Sequence, residues 1–279
     1  MRMRKFSTLL VAATLSFGLI SGACTKKEED GNLMVFHGFL RDDIKTWDPA
    51  NAYDSISLEM VPSVYETLYQ YAYLADTYKV VPLLASDMPK YSADRLTLTI
   101  PIKRGIKFQD DAAFKNTNGK GRELKAQDFI YAWKRLALPS LQSQGWWIFD
   151  GKVAGINAFH DKLVATPKGD IPKGFGDPDE GIKALDDYTI QIKLTKPYPQ
   201  LMYILAMAFT APVPQEAVIA YGDENTNLTD HPVGTGPFIL KSWEHGRRVV
   251  LDRNPNYHPE FYPTDGALDY RKKGLLADA

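Results

Sequence analysis

Residues 96–108 read LTLTIPIKRGIKF, and residues 124–135 read LKAQDFIYAWKR. Apolar and polar residues alternate through the first half of the first string, which predicts a half-buried strand that ends in a turn at Arg104-Gly105. In the second string apolar residues recur at helical spacing until Pro139 prevents continuation, so a helix is predicted from about Gln127 to Ala137. We expect strand, turn and helix to pack as one unit.

The composition of the chain limits the classes of protein it can be. Its 279 residues suffice for one large domain or two small ones with a hydrophobic core. A hydrophobic fraction of 44% with 24% charged residues is ordinary for a globular protein, so disorder is not expected as the main state. The formal net charge of −1 argues against a partner such as nucleic acid, which is bound by neutralising phosphates.

Residues 1–23 have the three parts of a secretory signal peptide. The basic start MRMRK is followed by an apolar core from Leu9 to Ile20, which is too short to span a bilayer comfortably. Small residues at Ser21-Gly22-Ala23 provide a cleavage site. We therefore expect the protein to be exported to a periplasmic or other extracytoplasmic location.

The only cysteine, Cys24, follows directly after this site, so no intramolecular disulfide is possible. A lone cysteine at this place resembles the lipidated first residue of a bacterial lipoprotein. Residues 24–32 are polar and would form a flexible tether, so that the protein would touch a membrane only through its lipid anchor. The alternative is a spare thiol after ordinary signal cleavage, because Ser21 and Ala23 also satisfy the rule for that enzyme.

Further elements are predicted from periodicity and from proline and glycine positions. Ile190, Ile192 and Leu194 alternate with polar residues and should share one buried face of a strand. The other predictions, in chain order, are a strand at Leu33–His37, a helix from Leu58 to Leu68 with Ser55 or Ser57 as N-cap and Pro62 as a kink or late start, a strand at Tyr69–Tyr73, a loop at Thr166–Pro178, a helix from Lys196 to about Leu205, a helix ending near Tyr221 and a strand at Val249–Asn254.

The unit quoted first resembles a hallmark segment of the family 5 bacterial extracellular solute-binding proteins, the oligopeptide- and dipeptide-binding proteins of ABC importers. The family pattern runs Leu-Arg-Lys-Gly-Val-Lys-Phe-Ser-Asp-Gly, then Thr-Ala-Glu-Asp-Val, then a Trp-Lys-Arg helix. Its counterparts here are Ile102–Asp111, Lys125–Phe129 and Trp133-Lys134-Arg135. The chain departs from the pattern at Asp111, which replaces the usual Gly, and at Ala112–Arg122, which is longer than the family's loop.

Other segments resemble the same family in the same order along the chain. The last of them, Arg253–Tyr257, resembles the family's Arg-Asn-Pro-Asn-Tyr-Trp. Each match is weak alone, but their order makes chance an implausible explanation. The remaining segments are Trp47–Ala50, Val64–Leu68, Val80–Ser86, Gly181–Thr189 and Pro232–Phe238.

The resemblance implies an α/β fold of mixed α+β type, the periplasmic-binding-protein-like type II fold, in which a ligand is held between two lobes. Residues 33–68 and 196–279 would form the core of the first lobe, and residues 69–195 an inserted subdomain. Family members are typically about twice this length, so we expect the second lobe to be missing and the chain to be a truncated or split product. Without hinge closure against that lobe, peptide binding should be very weak.

Two groups of candidate ligand contacts follow from the resemblance. The loop Phe39, Leu40 and Arg41 would pair with the ligand backbone, and Arg41 could bind a carboxylate; the alternative is a solvated loop arginine. Trp146 and Trp147 occupy the place where the family contributes aromatic contacts. Either one of them is exposed for stacking, or both are packed under neighbouring loops.

Gly234, Thr235 and Gly236 are the third group, because glycines allow backbone amides to approach a bound peptide. The alternative is a tight turn before the strand that begins at Phe238. Trp133 should belong to the core, and Lys134-Arg135 are explained as cations near a helix C-terminus.

No cofactor, metal or catalytic site is predicted. The five histidines have neither a partner at helical spacing nor a cysteine beside them: His37, His160, His231, His245 and His258. Neighbouring carboxylates diverge on regular structure, so the adjacent Asp pairs do not form a dyad by spacing alone. They are Asp42-Asp43, Asp110-Asp111 and Asp186-Asp187.

The sequence therefore predicts a non-enzymatic binding component that delivers a peptide or other small solute to an ABC permease in the inner membrane. An alternative is an exported hydrolase or carbohydrate-active enzyme, in which two carboxylates would converge within about 5 to 9.5 Å across a cleft. Another is a lipoprotein scaffold that binds a protein through a large exposed apolar patch.

Overall fold

The computed structural model describes residues 34–75, 77–164, 175, 179–223 and 226–261. The predicted signal peptide, Cys24, the tether and most of the predicted loop 166–178 lie outside these residues. The chain divides into two compact units, one up to Phe39 and one from Leu40 onwards. Among the described residues no helix is long and apolar enough to cross a membrane.

The described part of the first unit, residues 34–39, contains no helix or strand. Met34 and Phe36 are almost fully exposed. The predicted strand at Leu33–His37 is therefore wrong for residues 34–37, and Leu33 lies outside the described part. A β-strand needs a partner strand that forms hydrogen bonds with its backbone groups. An apolar run of residues does not by itself provide that partner strand.

A four-stranded antiparallel sheet lies at the centre of the second unit, in the order β3-β4-β6-β5. Leu98 and Ile100 of β4 face Ile192 and Ile190 of β6, and all four side chains are buried. The predicted alternation is confirmed in both strands. The bounds are β3 Lys90–Tyr91, β4 Thr97–Pro101, β5 Ile182–Asp186 and β6 Thr189–Lys193.

Helix α2, Ala126–Arg135, begins one residue before the predicted helix and ends two residues before it, and it packs against β5 and β6 of this sheet. Asp128 caps its start, because the side chain accepts a hydrogen bond from the Lys125 backbone N–H at 2.8 Å. Trp133 is fully buried, and its Nε1 donates to the Thr210 carbonyl at 2.9 Å. The prediction that Trp133 belongs to the core is confirmed.

The helix predicted from Leu58 to Leu68 is shorter and begins earlier. Helix α1 covers Ser55–Met60, and Asp54 is its N-cap, since its Oδ1 accepts from the Ser57 N–H at 2.9 Å. A 3-10 turn at Val61–Ser63 follows, because Pro62 has no N–H to continue the helix.

The described residues also form two β-hairpins and three further helices. Two hairpins are formed, one by β1 Tyr69–Tyr71 with β2 Val80–Pro82, the other by β7 Phe238–Glu244 with β8 Arg248–Arg253. The helices are α3 Ile156–Val164, α4 Leu201–Ile204 and α5 Gln215–Tyr221. Helix α5 ends where predicted, whereas α4 is a single turn and α3 was not predicted.

One continuous hydrophobic cluster fills the interior of the second unit. It joins Trp47 and Val64, from the predicted first-lobe core, to Ile100 and Trp133, from the predicted inserted subdomain. The boundaries between these two parts stay predictions.

Candidate functional site

The Gly234-Thr235-Gly236 segment is buried between two other pieces of backbone. The Gly236 N–H donates to the Val64 carbonyl at 2.8 Å, and the Gly234 carbonyl accepts from the Gln109 N–H at 2.9 Å. The Gly234 N–H donates in turn to Gln109 Oε1 at 3.4 Å. Both glycine amides thus have partners within the chain.

Close approach of backbone explains why both positions are glycine. A Cβ atom at Gly234 would lie 1.9 Å from the Val64 oxygen, and one at Gly236 would lie 2.6 Å from the Val64 carbonyl carbon. Neither residue has a φ in the left-handed region, so a turn does not require them. Thr235 is buried, and its Oγ1 has no hydrogen-bond partner among the described residues. A ligand contact at this segment stays a prediction.

The two adjacent tryptophans have different surroundings, as one of the two sequence interpretations expects. Both lie in the 3-10 turn Trp146–Ile148. Trp146 is half-buried and stacks on the His160 ring, with centroids 5.0 Å apart. Trp147 is 46% exposed, and the Lys152 ammonium lies 5.7 Å from the centre of its ring. Trp147 is therefore the ring that a solute could reach.

The predicted contacts near the start of the described residues differ in exposure. Phe39 is exposed and belongs to the first unit. In the second unit Leu40 is half-buried and Arg41 is exposed, and Arg41 forms no ion pair with any described residue. Within that unit no hydrogen bond joins Arg41, the two tryptophans and the Gly-Thr-Gly segment to one another in the described part of the chain.

A buried ion pair joins two of the family-like segments, and the sequence interpretation did not find it. Arg135 Nη2 lies 2.6 Å from Asp48 Oδ2, Nη1 lies 3.2 Å from Oδ1, and both side chains are 0% exposed. Asp48 also accepts from the N–H groups of Ala50 and Leu228. The account of Arg135 as a helix-end cation is thus incomplete, because its main partner is Asp48. Burial opposes the charge of Arg135, but Asp48 outweighs it and raises its pKa.

A second arginine connects the start of α2 to α5. Arg122 holds Asp128 with distances of 2.7 and 2.9 Å and Glu216 with distances of 2.6 and 2.7 Å. Burial raises the pKa of Asp128, whereas hydrogen bonds from Arg122 outweigh burial and lower the pKa of Glu216. The three side chains line an open cavity of about 540 Å³. Both carboxylates are thus held by one guanidinium beside this cavity.

The aspartates of the adjacent pairs, which could suggest catalysis, also bind different partners. Asp110 pairs with Lys120 at 2.7 Å, while Asp111 accepts from the Tyr221 hydroxyl at 2.7 Å. Asp187 pairs with Lys125 at 3.0 Å. In the described ranges no group of three or more His, Cys, Asp or Glu side chains could hold a metal ion.

Comparisons with known proteins agree on one family. The model of "bacterial extracellular solute-binding proteins, family 5 Middle" matches residues 79–273. The periplasmic oligopeptide-binding protein OppA of Salmonella typhimurium is 36% identical over 138 residues, which cover 49% of this chain and 23% of that protein. The dipeptide-binding protein of Lactococcus lactis is 26% identical over 97% of this chain and 45% of its own length.

Solved structures show the same fold. The substrate-binding domain of an oligopeptide ABC transporter from Bacillus anthracis has a TM-score of 0.60 and 24% identity, covering 80% of this chain and 38% of that chain. The murein tripeptide binding protein MppA of Escherichia coli has a TM-score of 0.59 and 24% identity, covering 82% and 38%. The chain thus spans less than half the length of each of these relatives.

Proposed function

Because the chain belongs to the family 5 bacterial extracellular solute-binding proteins, we propose that it is the substrate-binding component of an ABC-type peptide importer and has no catalytic role. The match of the family model over residues 79–273 carries this proposal. The names of the relatives support a peptide as the solute, since they describe oligopeptide- and dipeptide-binding proteins. The partner that receives the solute would be an ABC permease.

We further propose that the protein works outside the cytoplasm and is held to a membrane by a lipid on Cys24. The support is the basic start, short apolar core and small cleavage residues before this only cysteine. Cys24→Ser should move the protein from the membrane fraction to the soluble fraction of cells. An unchanged membrane fraction would rule out this anchor.

The described surface would contribute one wall of the solute site. Trp147 supports this proposal, because its ring is 46% exposed and flanked by the Lys152 ammonium. Arg41 adds an exposed cation without an ion-pair partner among the described residues. Together these two residues offer stacking and a carboxylate contact, which suit the backbone and terminus of a peptide.

A titration of these 279 residues by themselves tests this wall alone, so the affinity expected there is much weaker than micromolar, which would be about −8 kcal/mol. The test is a titration of the isotopically labelled 279-residue chain with di- to pentapeptides at about 1 mM, a range in which a binding energy near −4 kcal/mol is measurable. Chemical-shift changes should centre on Trp147 and Arg41. Trp147→Ala should remove the changes near its turn.

Tyr203→Ala is the matched control, because Tyr203 is an aromatic residue of the same 46% exposure on α4, where its ring stacks on that of Tyr71. It should leave peptide binding unchanged. Loss of binding in both variants, or shift changes that avoid Trp147 altogether, would contradict the proposed wall.

A further inference from the structure

Three histidines join the C-terminal part of the described chain to carboxylates far away in sequence. The separations are 120, 202 and 192 residues. Each imidazole nitrogen lies within hydrogen-bond distance of its partner, so each pair fastens two distant segments together. The pairs are His231 Nε2 with Asp111 Oδ2 at 3.1 Å, His245 Nδ1 with Asp43 Oδ2 at 3.0 Å, and His258 Nε2 with Glu66 Oε1 at 2.8 Å.

All three pairs surround one structural element, the β7–β8 hairpin. His231 precedes β7, His245 lies in the turn between the two strands, and His258 follows β8. Among the described residues β7 and β8 pair only with each other. Leu240, Trp243, Val249 and Leu251 pack against the hydrophobic cluster, and the side-chain pairs at the turn and at the two ends add polar contacts to that packing.

The ring of His231 faces a carboxylate and a tyrosine. Asp111 accepts from the Tyr221 hydroxyl as well, and the Tyr221 and His231 rings stack with centroids 3.7 Å apart. At the hairpin turn, Asp43 receives both the His245 contact and the Trp243 indole N–H at 3.0 Å. The hydrogen bond from Trp243 is the largest cause that lowers the pKa of Asp43, so this carboxylate keeps its charge at mildly acidic pH.

The third pair is the most buried. The His258 side chain is 11% exposed and that of Glu66 is 4% exposed. Glu66 Oε2 has no hydrogen-bond partner in the described part of the chain, so the imidazole is the partner that can offset the carboxylate charge. Lys103 also faces His258 and opposes its protonation, while the neighbouring Tyr257 hydroxyl is bound to Glu260. The hydrogen bond that the imidazole donates to Glu66 prevails and raises the pKa of His258.

We propose that the end of the β7–β8 hairpin is a pH-sensitive contact, in which the buried His258–Glu66 pair holds the segment after β8 to the second unit when His258 is protonated and loosens when His258 loses its proton. A histidine whose pKa is raised by folding stabilises the folded state fully below its unfolded value near 6.5. That stabilisation is lost as the pH rises through the higher folded-state value. The hairpin is thus held most firmly in mildly acidic conditions.

An imidazole changes its charge between about pH 5 and 8, so the contact between His258 and Glu66 can respond to pH within this range. The proposal does not depend on peptide transport, so it can fail or hold independently of the proposed function.

Hydrogen–deuterium exchange of the full chain, corrected for intrinsic rates, tests the proposal between about pH 5.5 and 8. Protection of the β8 amides should fall by about fivefold over this range, because the His258–Glu66 pair is lost as His258 gives up its proton. Protection of the β4 and β6 amides should not change. In the triple variant H231Q/H245Q/H258Q the hairpin should show a pH change of less than about twofold.

His160→Gln is the matched control, because His160 contacts only its neighbour Asp161 and the Trp146 ring among the partners described for it. It should retain the full fivefold change. If the triple variant does not fold, H258Q alone should remove most of the pH change. A wild-type hairpin with pH-independent protection, or single variants that all retain the wild-type change, would overturn the proposal.

Discussion

Replacing Arg135 with Met tests the buried ion pair that holds two distant segments together. The substitution leaves the Asp48 carboxylate 0% exposed and without its guanidinium. Removing one partner of a buried pair costs about 3–5 kcal/mol, because the remaining charge loses its compensation. This is a large share of the roughly 5–15 kcal/mol by which a domain is stable.

The assay is urea denaturation followed by tryptophan fluorescence, with the slope of free energy against urea compared between variants. Asp48→Asn removes the charge but keeps an oxygen that can accept the Ala50 N–H. The double variant D48N/R135M should therefore be more stable than the sum of the single effects predicts, by on the order of 2 kcal/mol.

Arg248→Met is the matched control, because Arg248 is 61% exposed and pairs with Glu244 on the surface of the hairpin. Its cost should stay below about 1 kcal/mol. The reasoning fails if R135M costs no more than this control. It also fails if the effects of D48N and R135M simply add, since the two side chains would then not be coupled.

Three further outcomes are expected. Gly234→Ala should destabilise the domain by more than about 2 kcal/mol in urea denaturation, because the new Cβ would lie 1.9 Å from the Val64 oxygen; wild-type stability would refute this backbone contact. The Lys120 ammonium is the main cause that lowers the pKa of Asp110 to about 2, so Asp110 stabilises the fold above its unfolded pKa near 3.8 and loses this effect as the pH falls towards 2. Between these values Asp110→Asn should unfold with a weaker pH dependence than wild type, and identical profiles would refute the assignment. Trp133→Ala should cost about 3–5 kcal/mol, since the ring is fully buried and its indole N–H is bonded; a cost below about 1 kcal/mol would contradict its place in the core.

The elements that could be predicted from the sequence are those with a strong local pattern. Alternation in β4 and β6 and helical spacing in α2 follow from one buried face, which a short window of sequence reveals. The helix after Asp54 was predicted too long, because Pro62 acts on the backbone whatever the apolar spacing around it. The Leu33–His37 prediction was wrong for residues 34–37, because strand formation depends on a partner that local sequence does not contain.

The candidate site was less predictable than the fold. The Asp48–Arg135 pair spans 87 residues, and no local pattern connects its two members. Both segments, Trp47–Ala50 and Trp133–Arg135, were recognised from the sequence. Because one contains an aspartate and the other an arginine, an ion pair between them could have been suggested. For Trp146 and Trp147 the sequence left two interpretations open, because only the folded turn determines which ring faces solvent.

The contact between Gly234 and Val64 has a consequence for how relatives of this protein are recognised. The glycine is required where two main-chain segments approach closely, and that requirement is the same whatever ligand a protein of this fold binds. A search that uses Gly-Thr-Gly-Pro as its query would therefore detect shared architecture. Two proteins found in this way need not import the same nutrient.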